Sequence, residues 1–111
     1  MNSIILNSWD TEETTGWEPL RPGVKIKRLH QHPKTGYTVA LLRYEPGASV
    51  PLHLHQGDEH IFVLKGSQRD EWGHYTEGSY VCNPAGSEHQ VTSDDGCLVL
   101  IHWLAPVEFL E

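Results

Sequence analysis

The 111-residue sequence has only two cysteines, Cys82 and Cys97, which lack the close spacing of a thiolate zinc site or a disulfide scaffold. We expect both to be small buried residues. Basic side chains are also scarce, since 8 Lys and Arg stand against 15 Asp and Glu and give a formal net charge of −7. Such a chain repels phosphate backbones and anionic lipid head groups, so neither nucleic acid nor membrane is expected as a partner.

Long apolar runs are absent as well. No stretch approaches the roughly 20 apolar residues that a membrane-spanning helix needs. The first six residues lack the positive start and the apolar core of a signal peptide, which favours a cytoplasmic protein. The length predicts one domain, because two separate cores would each be too small to bury enough apolar surface.

Histidine, glycine and proline, in contrast, are frequent, with 8, 10 and 7 residues. From Val24 onward, short apolar or alternating runs are separated by turn sequences that contain Gly, a pattern typical of an all-β sandwich or barrel. Exposed strand edges are a liability in a small sheet protein, so we favour closure into a jelly-roll barrel. The predicted strands are residues 24–29, 37–44, 50–55, 59–64, 68–72, 79–82, 89–92 and 97–104.

Residues 1–22 differ from the rest, since they form a polar lead-in that carries Trp9 and Trp17. Two aromatic residues in a polar segment predict packing, either on the barrel formed by residues 23–111 or on a partner subunit. Together with the strand edges that need cover, this favours a homodimer.

One group of residues has the spacing of metal ligands. His53 and His55 lie two apart in a predicted strand, so both rings point to the same face. Glu59 follows a short reversal, Gln56-Gly57-Asp58, and is expected to begin the neighbouring antiparallel strand beside the rings. His89 opens another strand. Three imidazoles and a carboxylate without a thiolate suit Fe, Zn, Mn, Co, Ni or Cu.

The spacing of two histidines is weak evidence alone, because His30 and His32 share it and are expected to lie in a solvated loop. For His53 and His55, a ligand role and a structural role remain open on this pattern alone. His60 is expected to point outward and His74 to lie in a turn.

Two longer strings of residues carry more information. They are Gly47, His53, His55, Glu59 and Gly66, and then Gly78, Pro84, Gly86 and His89. In order and spacing they resemble the paired signature of the cupin superfamily, except that Ser93 stands where the signature has Asn. The resemblance implies a double-stranded β-helix, a jelly-roll barrel, with one mononuclear divalent transition metal such as Fe, Zn, Mn or Ni. It implies that the ligands are His53, His55, Glu59 and His89.

A narrower likeness concerns residues 53–72 and 78–97, which resemble the branch of cupins that includes the ChrR anti-sigma factor and some diketone-cleaving dioxygenases. It implies either a metal-dependent dioxygenase acting on a small oxo or diketo compound, or a zinc-binding module that senses a small molecule or oxidant. Sigma-factor regulation is not expected, because 111 residues lack room for the helical zinc domain of such factors.

Strand parity predicts the surroundings of the metal. If the ligands face inward, their neighbours at alternate positions form a mostly apolar pocket that fits a small organic ligand. Whether Glu59 is a ligand or orients one is left open, as is the direction of His102. The expected inward residues are Pro51, Ile61, Val63, Val91 and Ser93. The candidates for a pocket rim, for each of which ordinary sheet packing is the favoured alternative, are Tyr37, Arg43, Tyr44, Arg69 and Trp72.

Overall fold

The computed structural model describes residues 16–110, and this part of the chain is all β, as predicted. No helix long and apolar enough to cross a membrane occurs in it. Trp9 lies outside the described residues. The strands are β1 (Glu18–Arg21), β2 (Val24–Gln31), β3 (Thr38–Tyr44), β4 (Ala48–His55), β5 (Glu59–Arg69), β6 (His74–Thr76), β7 (Tyr80–Asn83), β8 (Glu88–Ser93), β9 (Cys97–Trp103) and β10 (Val107–Phe109).

The strands form two antiparallel sheets that share β5. The first sheet has the order β1-β2-β3-β9-β5-β7, and the second has the order β10-β4-β8-β5-β6. Apolar residues from both sheets meet in one core that includes Ile26, Leu42, Val99 and Ile101 from the first and Val91 from the second. The curled sheets with a shared strand give the predicted jelly-roll fold.

The sharing of β5 corrects one expectation, because the predicted turn at Gly66 does not end the strand. Before this point β5 pairs with β7 and β9, and after it with β6 and β8. Gly66 has a φ of 73°, and a Cβ on it would come within 2.0 Å of the Gly96 carbonyl oxygen. A glycine therefore lets the strand bend from one sheet into the other.

Three short strands were not predicted: β1, β6 and β10. Each has only three or four residues, and β1 contains Pro19, which suits an edge strand that gives up a ladder hydrogen bond. His74 accordingly lies in β6 and not in a turn, and His30 lies in β2 and not in a loop. Both are exposed.

Of the two cysteines, Cys97 is buried as expected, but Cys82 is exposed. The prediction for Cys82 was wrong because it lies on the outer face of β7, an edge strand of the first sheet. Near the start of the described residues, the Arg43 guanidinium lies over the Trp17 ring, 4.4 Å from the ring centroid.

Candidate metal centre

The second sheet provides three buried histidines. His53 and His55 lie on one face of β4, while Leu54 between them points the other way and is only half-buried. His89 lies on β8 and is the direct register partner of His53. All three histidines are at most 4% exposed, so the strand pairing alone brings these imidazoles together inside the barrel.

Glu59, the first residue of β5, reaches the same place by a different route from the expected one. Strand β4 pairs with β8 and β10 and not with β5, so residues 56–58 cross between the sheets. Gly57 allows this crossing, because a Cβ on it would lie 2.8 Å from the backbone nitrogen of Ala105. Glu59 therefore faces the histidines across the barrel interior and is buried there.

The four side chains form a close cluster. One ligand atom from each of His53, His55, Glu59 and His89 lies within 4.8 Å of the other three. The ring centroids are 5.0 Å apart for His53 and His55, and His89 is 4.6 Å and 4.7 Å from these two. One Glu59 oxygen, Oε1, lies 3.1 Å from His55 Nε2 and 3.6 Å from His89 Nε2.

Hydrogen bonds at Nδ1 fix which nitrogen each neutral ring offers to this cluster. His53 Nδ1 lies 2.8 Å from the Pro51 carbonyl oxygen, which can only accept. The Ser87 hydroxyl donates to the Pro84 carbonyl at 2.6 Å, so its oxygen accepts from His55 Nδ1 at 3.0 Å. Both rings therefore carry hydrogen at Nδ1 and present a lone pair at Nε2.

The third ring, His89, is held by a carboxylate. Its Nδ1 donates to Asp70 Oδ2 at 2.9 Å, and the Asp70 side chain is only 2% exposed. The other oxygen, Oδ1, accepts from the backbone nitrogens of Trp72 and Gly73 and from the Tyr75 hydroxyl, at 2.8, 3.0 and 2.8 Å. Burial acts to raise the pKa of Asp70, but these hydrogen bonds outweigh it and leave the pKa lowered, so the group is an anion.

Glu59 is also ionised. Asn83 donates from Nδ2 to Oε1 at 3.0 Å, and the Trp103 indole donates to Oε2. Burial raises the pKa of Glu59, but contact with His55, the Trp103 hydrogen bond and nearby His89 together lower it to about 2. Burial likewise lowers the pKa of His53, so this ring stays neutral at pH 7.

The donor set fits one divalent metal ion. His55 Nε2 and His89 Nε2 are buried and face Glu59 Oε1, which, like a ring lone pair, can only accept. Without a hydrogen between these atoms the arrangement costs free energy unless something else binds there. Three imidazole lone pairs and one carboxylate supply the nitrogen and oxygen ligands that transition metals prefer. A buried His53, His55, Glu59 and His89 cluster thus has the composition of a mononuclear site.

An apolar cavity adjoins the cluster. Its walls include His53 and Glu59, together with Leu20 of β1 and Val107 and Phe109 of β10. The space that a water-sized sphere can reach is only about 20 Å³, room for one or two water molecules. The last three side chains are half-buried and separate the cavity from solvent.

The predicted surroundings are correct in part. Ile61, Val63, Val91 and Ser93 are buried as expected, and Ser93 donates its hydroxyl hydrogen to the Ser67 carbonyl at 2.5 Å. Pro51 is an exception, because a register shift between residues 50 and 53 turns Val50 inward in its place.

Of the expected rim residues, only Tyr44 lines this cavity. Arg69 pairs with Asp94 at the surface, at 2.8 Å, and Trp72 is 77% exposed. Tyr37 and Arg43 also lie away from the cavity wall.

His102 was left open, and it lies on the outer face of β9 together with His60, its register partner, which points outward as expected. Its neighbour Trp103 contacts Glu59 of the interior cluster instead. Sequence reasoning also missed Asp70, Asn83 and Ser87, which contact Glu59 or the histidines. Of the residues that contact the cluster, Trp103 could have been found from strand alternation, since it follows the buried Ile101 by two residues and so faces the interior.

A family model described as "ChrR Cupin-like domain" matches residues 9–107. No protein of curated function matches the sequence significantly. Among solved structures, an acetylacetone dioxygenase from Acinetobacter johnsonii is 19% identical with a TM-score of 0.81. That match covers 100% of this chain and 83% of the dioxygenase.

Two other structures are more similar in sequence. A chain in the complex of Rhodobacter sphaeroides SigE with the anti-sigma ChrR is 27% identical with a TM-score of 0.74, over 85% of this chain. A protein of unknown function with a cupin-like fold from Ralstonia eutropha JMP134 is 27% identical with a TM-score of 0.68, over 73% of this chain. The present chain spans about half of each, 50% and 54%.

Proposed function

Because this chain belongs to the ChrR cupin-like family, we propose that it binds one divalent transition metal and acts as a dioxygenase-type enzyme on a small oxo or diketo compound. The observation that carries the proposal is the cluster of three buried imidazoles whose Nδ1 atoms are all engaged, so that the Nε2 lone pairs converge on Glu59. An arrangement of this kind orients the ring nitrogens toward a common point before a metal binds.

His53, His55, His89 and Glu59 would hold the ion. When bound, a six-coordinate ion such as Fe(II) supplies open positions at which O2 and a carbonyl compound can be activated. The chain's own contribution is orientation, because Asp70 and Ser87 hold two of the rings while Asn83 and Trp103 hold the carboxylate.

The cavity supports a small and largely apolar substrate. Its walls next to the cluster are mostly aliphatic and aromatic, which favours apolar groups beside the reacting centre. The reachable space is too small for an organic molecule, so entry requires the half-buried Leu20 and Phe109 to move. The Arg21 guanidinium lies 4.0 Å from the centre of the Phe109 ring and is expected to move with it.

A second candidate function is a zinc-binding module that senses a small molecule or oxidant. It is supported by the family description and by the likeness to the SigE–ChrR complex. Zinc is usually four-coordinate, and three histidines with Glu59 would complete its shell and leave no position for substrate.

Metal analysis and oxygen uptake separate the two candidates. The full chain is purified without added metal, its metal is counted by elemental analysis, and the stripped protein is then reconstituted with Fe(II). We expect O2 consumption to depend on both iron and a short diketone such as acetylacetone. Bound zinc in the purified protein, with no O2 uptake after reconstitution for any diketone, would support the sensing module.

The site itself is tested by replacing His53 and His55 with Ala. Both candidates require that this variant loses metal, while the matched replacement of the exposed His30 and His32 by Ala leaves the metal content unchanged. Equal metal content in the two variants would contradict the site.

We also propose a cytoplasmic homodimer that binds neither nucleic acid nor membrane. The net charge of −7 supports the lack of anionic partners, and the 77% exposure of Trp72 supports an apolar contact between subunits. Light scattering at micromolar concentration tests the dimer, and a monomer mass would contradict it.

A further inference from the structure

The outer face of the first sheet carries a second pair of imidazoles, His60 on β5 and His102 on β9. They are register partners in the antiparallel ladder, so their side chains lie side by side on the same face. Their ring centroids are 6.5 Å apart, and both side chains are half-buried. They point away from the barrel interior, where the neighbouring residues Ile61 and Ile101 lie.

Each of these rings is held at Nδ1 by a phenol. His60 Nδ1 lies 2.7 Å from the Tyr80 hydroxyl, and His102 Nδ1 lies 3.2 Å from the Tyr37 hydroxyl. A phenol can donate to Nδ1 or accept from it, and in the tautomer in which it accepts, the lone pair that a metal needs is at Nε2. The outer pair thus repeats the arrangement of the interior histidines, in which a neighbour engages Nδ1 and leaves Nε2 for another partner.

The surroundings favour neutral rings, which a metal requires. Burial lowers the pKa of His102, and the adjacent His60 lowers it further. An overall charge of −7 attracts cations to the surface. Within residues 16–110, no third His, Cys, Asp or Glu completes a cluster here, so the pair would supply two ligands and water the rest.

We propose that His60 and His102 form a second metal site on the outside of the barrel, which binds a divalent ion such as Cu2+, Ni2+ or Zn2+ through two imidazoles. Imidazole suits these ions, and Cu2+ is bound most tightly among them. With metal–nitrogen distances of about 2.0–2.1 Å, the centroids of two ligand rings at neighbouring positions lie roughly 4.5–5.5 Å apart. The outer rings, at 6.5 Å, must therefore approach by about 1 Å on binding, whereas the interior rings already lie within this range, at 4.6–5.0 Å.

This difference predicts that the outer site binds metal more weakly than the interior one. The outer site does not depend on the function proposed for the interior cluster. The test is a Cu2+ titration of the full chain, followed by calorimetry and by elemental analysis after dialysis. We expect a tight equivalent and a weaker second one. The variant His60→Ala/His102→Ala should keep the tight equivalent and lose the second, while His53→Ala/His55→Ala should keep the weaker one.

His74→Ala is the matched control, because this exposed histidine lies on β6, away from the pair. It should retain both equivalents. Replacing Tyr80 by Phe should weaken the second equivalent about tenfold, as for other groups that orient a metal-binding ring. Circular dichroism confirms the fold of each variant. If the double variant does not fold, the NMR line broadening that develops between the first and the second Cu2+ equivalent of the unmodified protein replaces it and should centre on β5 and β9.

Four outcomes would overturn the proposal. One is a His53→Ala/His55→Ala variant that binds no Cu2+, and another is a Cu2+ stoichiometry that is unchanged by removal of both outer histidines. The third is an equal loss in the His74 control, which would show unspecific binding to surface histidines. Broadening that is centred away from β5 and β9 would overturn it equally.

Discussion

Asp70 offers a sharp test of the metal centre, because one atom can be changed without a change in shape. In Asp70→Asn, the amide oxygen can still accept the three hydrogen bonds that Oδ1 accepts from Trp72, Gly73 and Tyr75. The amide nitrogen then faces His89 Nδ1 and donates to it. Its hydrogen forces the neutral ring to carry its own hydrogen at Nε2, the nitrogen that a metal needs free.

The expected loss is about 10- to 100-fold in metal affinity, the range found when a group that orients a metal ligand is removed. Such a loss removes about 1.4–2.7 kcal/mol of the stabilisation that bound metal supplies. For a domain of this length it lowers the melting temperature of the metal-bound protein by roughly 5–10 °C. Without metal, the free energy of unfolding of the variant falls by only about 1 kcal/mol, because three hydrogen bonds then have an uncharged acceptor.

The assay is competition with a chromophoric chelator, for the unmodified protein and the variant, with Zn2+ as the common probe. Asp94→Asn is the matched control, because Asp94 forms a surface ion pair with Arg69 and contacts none of the ligands. Affinity in Asp70→Asn within about twofold of the unmodified protein would refute the reasoning, since the expected change is at least tenfold.

Three further predictions concern the same interior. Trp103→Phe removes the indole hydrogen bond to the buried Glu59 and should lower the free energy of unfolding by about 1–3 kcal/mol. Urea unfolding of the metal-free protein measures this loss, and an unchanged midpoint would contradict the hydrogen bond. Gly66→Ala should destabilise by about 1–3 kcal/mol because of its φ of 73° and the nearby Gly96 carbonyl, and a melting temperature equal to that of the unmodified protein would contradict the bend. Acid should destabilise the metal-free protein in two steps. Below pH 6.5 the unfolded chain takes up a proton at His53 more readily than the folded protein, because the fold lowers the pKa of His53. From pH 4.5 to 2 the same holds for Glu59, whose pKa the fold also lowers. A free energy of unfolding that stays constant from pH 7 to 3 would contradict both shifts.

Much of the fold and the candidate ligands could be predicted from sequence because their signals are local. The alternation of His53, Leu54 and His55 fixes which rings share a face. Glycines at 47, 78 and 86 have positive φ and lie in the turns that the sequence patterns indicated.

The errors arose where contacts are long-range. Strand parity cannot show that residues 56–58 cross between sheets, or that β5 continues through Gly66 into the second sheet. The groups that orient the ligands, such as Asp70 and Asn83, come from segments whose proximity depends on those crossings. No spacing in the chain indicates them.

The placement of the ligands on both sheets also has a kinetic consequence. Because Glu59 lies in the first sheet while His53 and His89 lie in the second, the complete set exists only after the two sheets have docked. Interactions that form after the transition state slow unfolding and leave the folding rate unchanged. Metal is therefore expected to bind only after the transition state for folding. Stopped-flow measurements should show slower unfolding with metal at an unaltered refolding rate. Faster refolding would place the closure of the barrel earlier.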